Sequence, residues 1–364
     1  MTTAPIAISI ESEGSVWGLG LQPAGCDVCA RGFLVPADRV GQRCPACGRG
    51  TLGPQPALMR PEPPELVVAF RKRPEDLPDL LRPFVNAVWL RPDDLAVEKL
   101  AQRAVPVLWP MWLVDGKVVG AWEAELGFDY QVESARESLA GGQWRSEKML
   151  ETRIRWEPRA GQLARAYDNV ATPALSDHER WLRLGGAYPD TEAQPASAER
   201  LNGTVLVIPE VLPEAAWSLA KAQLDERAAS DCQAAAGAQH VRRIGLRAEY
   251  RDTRWTQLLL PAYLTTYTDD EGRVHPVLVN GATGRIGGRR FASQSKGLRL
   301  AGLVGLGAVL ALVVGLGLLA IGALLPPVAL LGGLVLVAAL GLGLAALWPA
   351  LWPWQWNRGQ PRSE

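Results

Sequence analysis

Histidine is nearly absent from this chain. Only His178, His240 and His275 occur in 364 residues, and none stands in HExxH or any other metal or nucleophile spacing. That excludes the common zinc-hydrolase layouts. No GxxxxGK[ST] phosphate loop occurs either, so P-loop nucleotide chemistry is excluded as well. Net charge is also lacking: 38 basic residues balance 38 acidic ones, which leaves no basic footprint of a dedicated nucleic-acid binder. Arginine supplies 32 of those 38 positive charges, a bias of composition rather than a row of phosphate ligands. Cysteine is scarce, at five. The first 14 residues carry neither the basic stretch nor the apolar core of a secretory signal, so a reducing compartment is expected and disulfides are not.

What the cysteines lack in number they have in spacing. Four of them form two CxxC pairs, Cys26 with Cys29 and Cys44 with Cys47, separated by fourteen residues. Each pair can turn both sulfurs toward one centre, and tetrahedral Zn2+ is the expected occupant, an iron centre of rubredoxin type being the chemical alternative. Gly48 follows the last ligand, where the chain benefits from a positive φ. With four cysteines the shell is closed, so the ion is expected to be structural rather than catalytic. Around it Arg31, Arg39, Arg43 and Arg49 stand against Asp27 and Asp38, and Phe33 is the one aromatic residue. That is thin for a sequence-specific reader and favours a protein-interaction or structural role. Cys232, alone in an alanine-rich helical pattern, reads as a buried core residue.

Long apolar runs are what the chain has in plenty. Residues 300–324 and 328–347 are uncharged and each long enough to cross a hydrocarbon core. Pro326-Pro327 separates them, which predicts an antiparallel two-span hairpin. Arg289, Arg290, Lys296 and Arg299 precede the first run and Arg358 and Arg362 follow the second, so both termini are expected in the cytoplasm. Trp348, Trp352, Trp354 and Trp356 mark the exit from the bilayer. Small residues at four-residue spacing, Gly307, Ala311 and Gly315, then Ala339 and Gly343, favour close helix contact and offer a face for oligomers. Removing residues 300–364 is expected to release a folded, soluble part.

Between the two ends the period changes several times. Residues 53–64 read as a proline-rich linker, and residues 75–88 and 92–102 as helices. Residues 105–114 and 117–126 around Asp115-Gly116 read as a hairpin, and residues 147–156 as an alternating strand. Ser176 with Glu179 suggests a capping box, and a helix after Pro213 carries Trp217, Ala220, Leu224, Ala228 and Cys232 as a core stripe. Strands return at residues 256–268 and 273–279, with Asn280-Gly281 as turn chemistry. The Gly281-Ala282-Thr283-Gly284 run reads as that turn rather than as an anion cradle. Asp168, Asp177 and Glu179 near Tyr167 read as solvated loop charges. The strands around Trp109-Pro110-Met111-Trp112 and Leu260-Pro261-Ala262-Tyr263 share a pattern, a degenerate repeat or a chance likeness.

The ribbon, Val88-Trp89-Leu90-Arg91-Pro92, the Trp109 strand, Trp156-Glu157-Pro158-Arg159-Ala160-Gly161 and Val279-Asn280-Gly281-Ala282-Thr283-Gly284 together resemble a family of bacterial membrane-anchored proteins. Its members have an N-terminal zinc ribbon like that of the transcription factor TFIIB. Trp109 and Ala262 depart from the commoner pattern of that family. The resemblance implies a scaffold at the cytoplasmic face of the membrane, because similar proteins are encoded beside phage-shock-type and SPFH (flotillin-like) proteins in envelope-stress operons. It implies no catalytic residues.

The expected class is α+β. Residues 1–52 form the zinc ribbon, 53–64 the linker, 65–295 an antiparallel-sheet domain with helices, 296–356 the transmembrane hairpin and 357–364 a cytoplasmic tail. The expected function is a non-enzymatic, membrane-tethered adaptor holding cytoplasmic or membrane protein partners. The alternative is a membrane-tethered nucleic-acid regulator that uses the ribbon.

Overall fold

The computed structural model describes residues 17, 19–55, 62–140 and 143–360. Residues 1–16, the linker segment 56–61 and the tail end with Arg362 lie outside the described residues. The fold is mixed α+β. In chain order it has β1 (Leu21–Cys26), β2 (Gly32–Pro36), β3 (Leu52–Pro54), β4 (Leu66–Val67), α1 (Leu77–Asn86), α2 (Val97–Arg103), β5 (Val105–Ala140) and β6 (Gln143–Pro173). There follow α3 (His178–Gly185), β7 (Gln194–Pro195), α4 (Ala198–Leu201), β8 (Val205–Val207), α5 (Pro213–Ala235), β9 (His240–Thr268), β10 (Val274–Asn280), β11 (Ile286–Gly288), α6 (Gln294–Gly322) and α7 (Pro326–Arg358). These elements divide into two units, one of Met1–Trp109, Asp177–Ile208 and Leu259–Glu364, the other of Pro110–Ser176 and Pro209–Leu258.

The first unit is organised by a sheet that orders its strands β11-β10-β9-β5-β8-β2-β1-β3. Its pairs are antiparallel where their register is resolved, except that β5 and β8 run parallel through Val107 with Val205 and Leu108 with Leu206. The cysteine-bearing strands belong to this sheet, because β2 pairs with β8 through Phe33 with Val207 and Leu34 with Leu206. Leu21, Leu34, Val67, Leu108, Leu206 and Leu259 fill one core beside that seam. A second core lies under α1 and α2, where Leu81, Phe84, Val85 and Leu100 meet Tyr263, Tyr267, Val277 and Val279.

The two C-terminal helices are long and apolar enough to cross a membrane, and only 11% of the most apolar window of each is buried. Pro326 and Pro327 occupy the first turn of α7, where a missing N–H costs no hydrogen bond. The helix contact uses only part of the small-residue set that the four-residue spacing suggested, Gly315 and Ala339. A β-carbon on Gly315 would stand 2.8 Å from Leu336, one on Gly322 2.6 Å from Ala329 and one on Gly332 2.8 Å from Leu319, whereas Gly307 and Gly343 face open space. The seam therefore repeats every seven residues, through the buried Ala308, Gly315 and Gly322 and through Gly332 and Ala339.

Past the second apolar run α7 continues to Arg358, and its end is not a free belt. Trp352 and Trp356 pack on the core under α1 and α2. Trp356 Nε1 donates to Arg290 O at 2.5 Å, and the Asn357 side chain both accepts from Ala292 N (2.8 Å) and donates to Ala292 O (3.1 Å). Only Trp348 and Trp354 keep the exposure expected of interfacial rings, at 60% and 45%. Through Trp352 and Trp356 the helix pair covers part of the core under α1 and α2, so removing residues 300–364 would uncover that part.

In the second unit β5 and β6 form a continuous antiparallel ladder from Met111 with Pro173 to Ala140 with Gln143. The expected hairpin at Asp115-Gly116 is a bulge inside β5. Asp115 Oδ1 accepts from Asn169 N at 2.8 Å, and Asn169 takes a left-handed φ of 55°, so the turn-forming pair is spent on the neighbouring strand. Helix α5 buries Ala220, Leu224, Ala228 and Cys232 of the stripe its sequence predicts, with Ala216 buried in place of the partly exposed Trp217, and packs on Val114, Val118, Tyr167 and Val170. Two local expectations fail because a side chain is claimed elsewhere. Ser176 caps nothing, since its hydroxyl donates to Glu210 at 2.5 Å. In the first unit α2 begins only at Val97, because Asp94 is held by Arg103 and by Thr268 N (2.9 Å).

The base of the helix pair closes on a glycine. A β-carbon at Gly297 would meet Pro349 O at 2.4 Å and Pro353 Cγ at 2.8 Å. Gly297→Ala should therefore cost about 1–3 kcal/mol by overpacking, and lower the thermal midpoint of the full chain in detergent. Gly302, with nothing within 4 Å, is the control. Gly302→Ala should be neutral or stabilising by up to about 1 kcal/mol from helix propensity.

Candidate metal centre

The four cysteines arrive from two loops of the same build. Cys26 ends β1 and Cys29 lies in the turn to β2, while Cys44 and Cys47 lie in the loop that returns to β3. Ala30 N donates to Cys26 O at 3.0 Å, and Gly48 N donates to Cys44 O at 2.9 Å, so each CxxC is closed by one backbone bond. The residue after each second cysteine is left-handed, Ala30 at φ 57° and Gly48 at φ 64°. Glycine suits that conformation, and alanine there costs roughly 1–2 kcal/mol. Gly48 is needed for a second reason, since a β-carbon there would lie 2.6 Å from Thr266 and 2.9 Å from Val274.

Backbone amides are aimed at the sulfurs. Val28 N and Cys29 N donate to Cys26 Sγ at 3.4 and 3.5 Å, and Arg49 N and Gly50 N both donate to Cys47 Sγ at 3.5 Å. Asp27 ties the loops together by accepting from Thr51 N at 2.9 Å and Thr51 Oγ1 at 3.1 Å, and these bonds hold its carboxyl below the usual range. Gly50 lets the loops approach, because a β-carbon there would lie 2.3 Å from Asp27 and 2.5 Å from Cys26 Sγ. Motif spacing brought the four cysteines together but missed this Asp27–Thr51 clasp.

The sulfur positions fit one ion. All four Sγ atoms lie within 4.8 Å of one another, with Cys26 to Cys47 at 3.6 Å and Cys29 to Cys44 at 3.8 Å. A tetrahedral centre with metal–sulfur bonds of about 2.3 Å places its sulfurs about 3.8 Å apart. Disulfides, at about 2.05 Å, are far shorter. Burial pushes the Cys29 thiol up to about 11 and the Cys44 thiol higher still. At Cys47 burial opposes ionisation too, but the amides of Gly50 and Arg49 and the neighbouring thiols outweigh it and bring the group down to about 7. A bare cluster therefore resists carrying four thiolate charges, and a cation among the sulfurs removes that repulsion.

The surroundings bear on what else this end of the chain can touch. Phe33 is fully buried and offers no stacking surface. Arg31 is engaged with Asp177 at 2.6 Å and lies over the Trp181 ring. A cavity of about 250 Å3 opens beside the cluster, lined in part by Arg39, Arg43, Cys44, Arg103 and Thr266. Arg103 is bound to Asp94 at 2.5 Å, while Arg39 and Arg43 have no carboxylate partner among the described residues.

The other residues singled out by sequence do not converge. Tyr167 donates to Asp231 at 2.8 Å in the second unit, whereas Asp177 and Glu179 lie in the first and pair with Arg31 and Arg183. His240 and His275 each face one aspartate, Asp129 and Asp269, and His178 packs on Trp109. The Gly281–Gly284 turn has no amide left for an anion. Asn280 Oδ1 accepts from Ala282 N and Thr283 N, both at 2.9 Å, Gly281 N donates to Pro261 O and Gly284 N to Asn280 O. Trp109 centres a buried aromatic group with Trp181 and Tyr188, and its Nε1 donates to the Tyr188 hydroxyl at 3.2 Å.

Cys44→Ser should abolish stoichiometric metal, read by elemental analysis of the purified chain. The damage should spread beyond the loops, because they are strands of the first unit's sheet, and the melting transition of that unit should fall. A variant that keeps its metal, or one whose sheet melts unchanged, contradicts this. Comparison with family models, with curated proteins and with solved structures gives no match to this chain.

Proposed function

We propose that this protein is a membrane-tethered zinc-ribbon adaptor. Cys26, Cys29, Cys44 and Cys47 hold one structural Zn2+, helices α6 and α7 span the bacterial cytoplasmic membrane, and both termini face the cytoplasm. The observation that carries the reading is that the helix pair and the four-thiol loops belong to one unit with a common sheet. A ribbon built that way is presented at a fixed place near the bilayer. The closed thiolate shell leaves no position for a reacting water, which suits a structural ion. Arg289, Arg290, Lys296, Arg299 and Arg358 flank the helices at one end, while residues 323–325 between them are uncharged. That distribution supports cytoplasmic ends.

The working surface of such an adaptor is a protein contact. Arg39 and Arg43, beside the cavity at the cluster and paired with no carboxylate among the described residues, suit an acidic segment of a partner. Proteins of the phage-shock or SPFH type are the partners suggested by the family resemblance, in envelope stress or membrane organisation. The buried Phe33 and the engaged Arg31 weaken the nucleic-acid alternative.

In-cell crosslinking from Arg43→p-benzoylphenylalanine, followed by mass spectrometry of native membranes, should give one dominant protein adduct. Arg39→Glu with Arg43→Glu, probed from a crosslinker at a neighbouring position, should abolish it while zinc stays at one per chain. Adducts to DNA or RNA, with binding of the purified full chain that weakens steeply with salt, would replace the adaptor by the nucleic-acid regulator.

A further inference from the structure

The loop between α1 and α2 has an exposed tryptophan that no core explains. Trp89 is 50% exposed, although it is joined to the base of the helix pair from two directions. Its ring meets the edge of Trp352 at 5.5 Å, and the next residue, Leu90, accepts through its carbonyl from Ser293 N at 2.6 Å, at the start of α6. The loop therefore sits at the level of α7 where Trp352 lies.

That level can be placed against a bilayer. If residues 328–347 fill the hydrocarbon, Trp352 lies five residues past its end, about 7.5 Å further along the axis. The headgroup layer adds about 5–7 Å on each side of the hydrocarbon. Trp89, against Trp352, then stands at the outer edge of that layer, and Trp348 and Trp354 on α7 are exposed as well. Charge agrees with position. Arg91, Arg299 and Arg358 are exposed at this end of the unit and pair with no carboxylate among the described residues. Arg91 donates to the Asn86 amide, and Arg358 lies 3.7 Å over Trp354.

We propose that the Trp89–Arg91 loop is a lipid-binding surface. Trp89 inserts among the headgroups as an anchor separate from the spans, and Arg91, with Arg299, selects anionic phospholipid. The proposal rests on the reading of α6 and α7 as membrane spans. It adds that the sheet-bearing part is seated on the bilayer and not merely connected to it.

The test uses the full chain labelled with fluorotryptophan, in nanodiscs of equal parts phosphatidylcholine and phosphatidylglycerol carrying a headgroup spin label. Fluorine resonances of Trp89, Trp348 and Trp354 are assigned by single Trp→Phe variants. Trp89 should broaden as much as Trp348 and Trp354, while the fully buried Trp109 keeps its linewidth. Broadening by spin-labelled phosphatidylglycerol should exceed that by spin-labelled phosphatidylcholine, and Arg91→Gln with Arg299→Gln should remove the excess. If Trp348 and Trp354 broaden and Trp89 does not, the loop proposal alone is overturned. If none of the three broadens, the membrane reading fails and the proposal fails with it. Equal broadening by both lipids in the unaltered chain overturns the anionic selectivity.

Discussion

The contact of Gly297 with Pro349 and Pro353 is the constraint on which the placement of the C-terminal helices depends. Any side chain at Gly297 would collide with backbone, at 2.4 Å from Pro349 O, so the start of α6 and the end of α7 meet only because that position is bare. Their meeting sets Trp356 under Arg290 and pairs Asn357 with Ala292. It also brings Trp352 and Trp356 onto the core that α1 and α2 make with β9 and β10. Ser293 fixes the other side of the joint, capping α6 at Lys296 N (3.0 Å) while donating to Asp270 at 2.6 Å. An apolar helix pair attached through a flexible tether would need none of these bonds.

The metal loops are joined to the same unit with similar economy of side chains. Their backbone conformation includes a left-handed alanine, Ala30, which costs roughly 1–2 kcal/mol, and crowded glycines that tolerate no substitution. Burial of Cys29 and Cys44 also opposes their ionisation. An ion that binds the folded loops and not the unfolded chain offsets both costs by mass action. Because Phe33 and Leu34 of β2 pair with β8, that binding free energy stabilises the sheet as well as the loops.

Sequence made the ends of this molecule legible and the middle much less so. The convergence of the four cysteines follows from CxxC spacing, because two residues between cysteines restrict where the sulfurs can point. The apolar helices follow from their length, because no other segment is uncharged for so long. The stripe on α5 is legible through its period. The bulge at Asp115-Gly116 is not, since the same dipeptide suits a hairpin turn and only Asn169, 54 residues away, decides between them. Ser176 has a capping sequence whose acceptor lies on Glu210, and Trp352 and Trp356 look like Trp348 until the core they cover is assembled. In each case the information is carried by a partner distant in sequence.

Strand alternation joins the metal loops and the helix pair. Thr266 and Tyr267 are neighbours on β9, and successive side chains of a strand point to opposite faces. Thr266 is the residue that Gly48 packs against. Tyr267 turns the other way, donates to Arg289 O at 2.8 Å and accepts from Phe291 N at 2.9 Å, where the chain enters α6. Burial raises the pKa of the Tyr267 hydroxyl, so it stays protonated and can make both bonds. One short stretch of β9 therefore has the cysteine loop on one face and the base of the helix pair on the other. A shift of that stretch disturbs both contacts, which makes the loops and the helix joint mechanically dependent even though no residue of one touches the other through this strand.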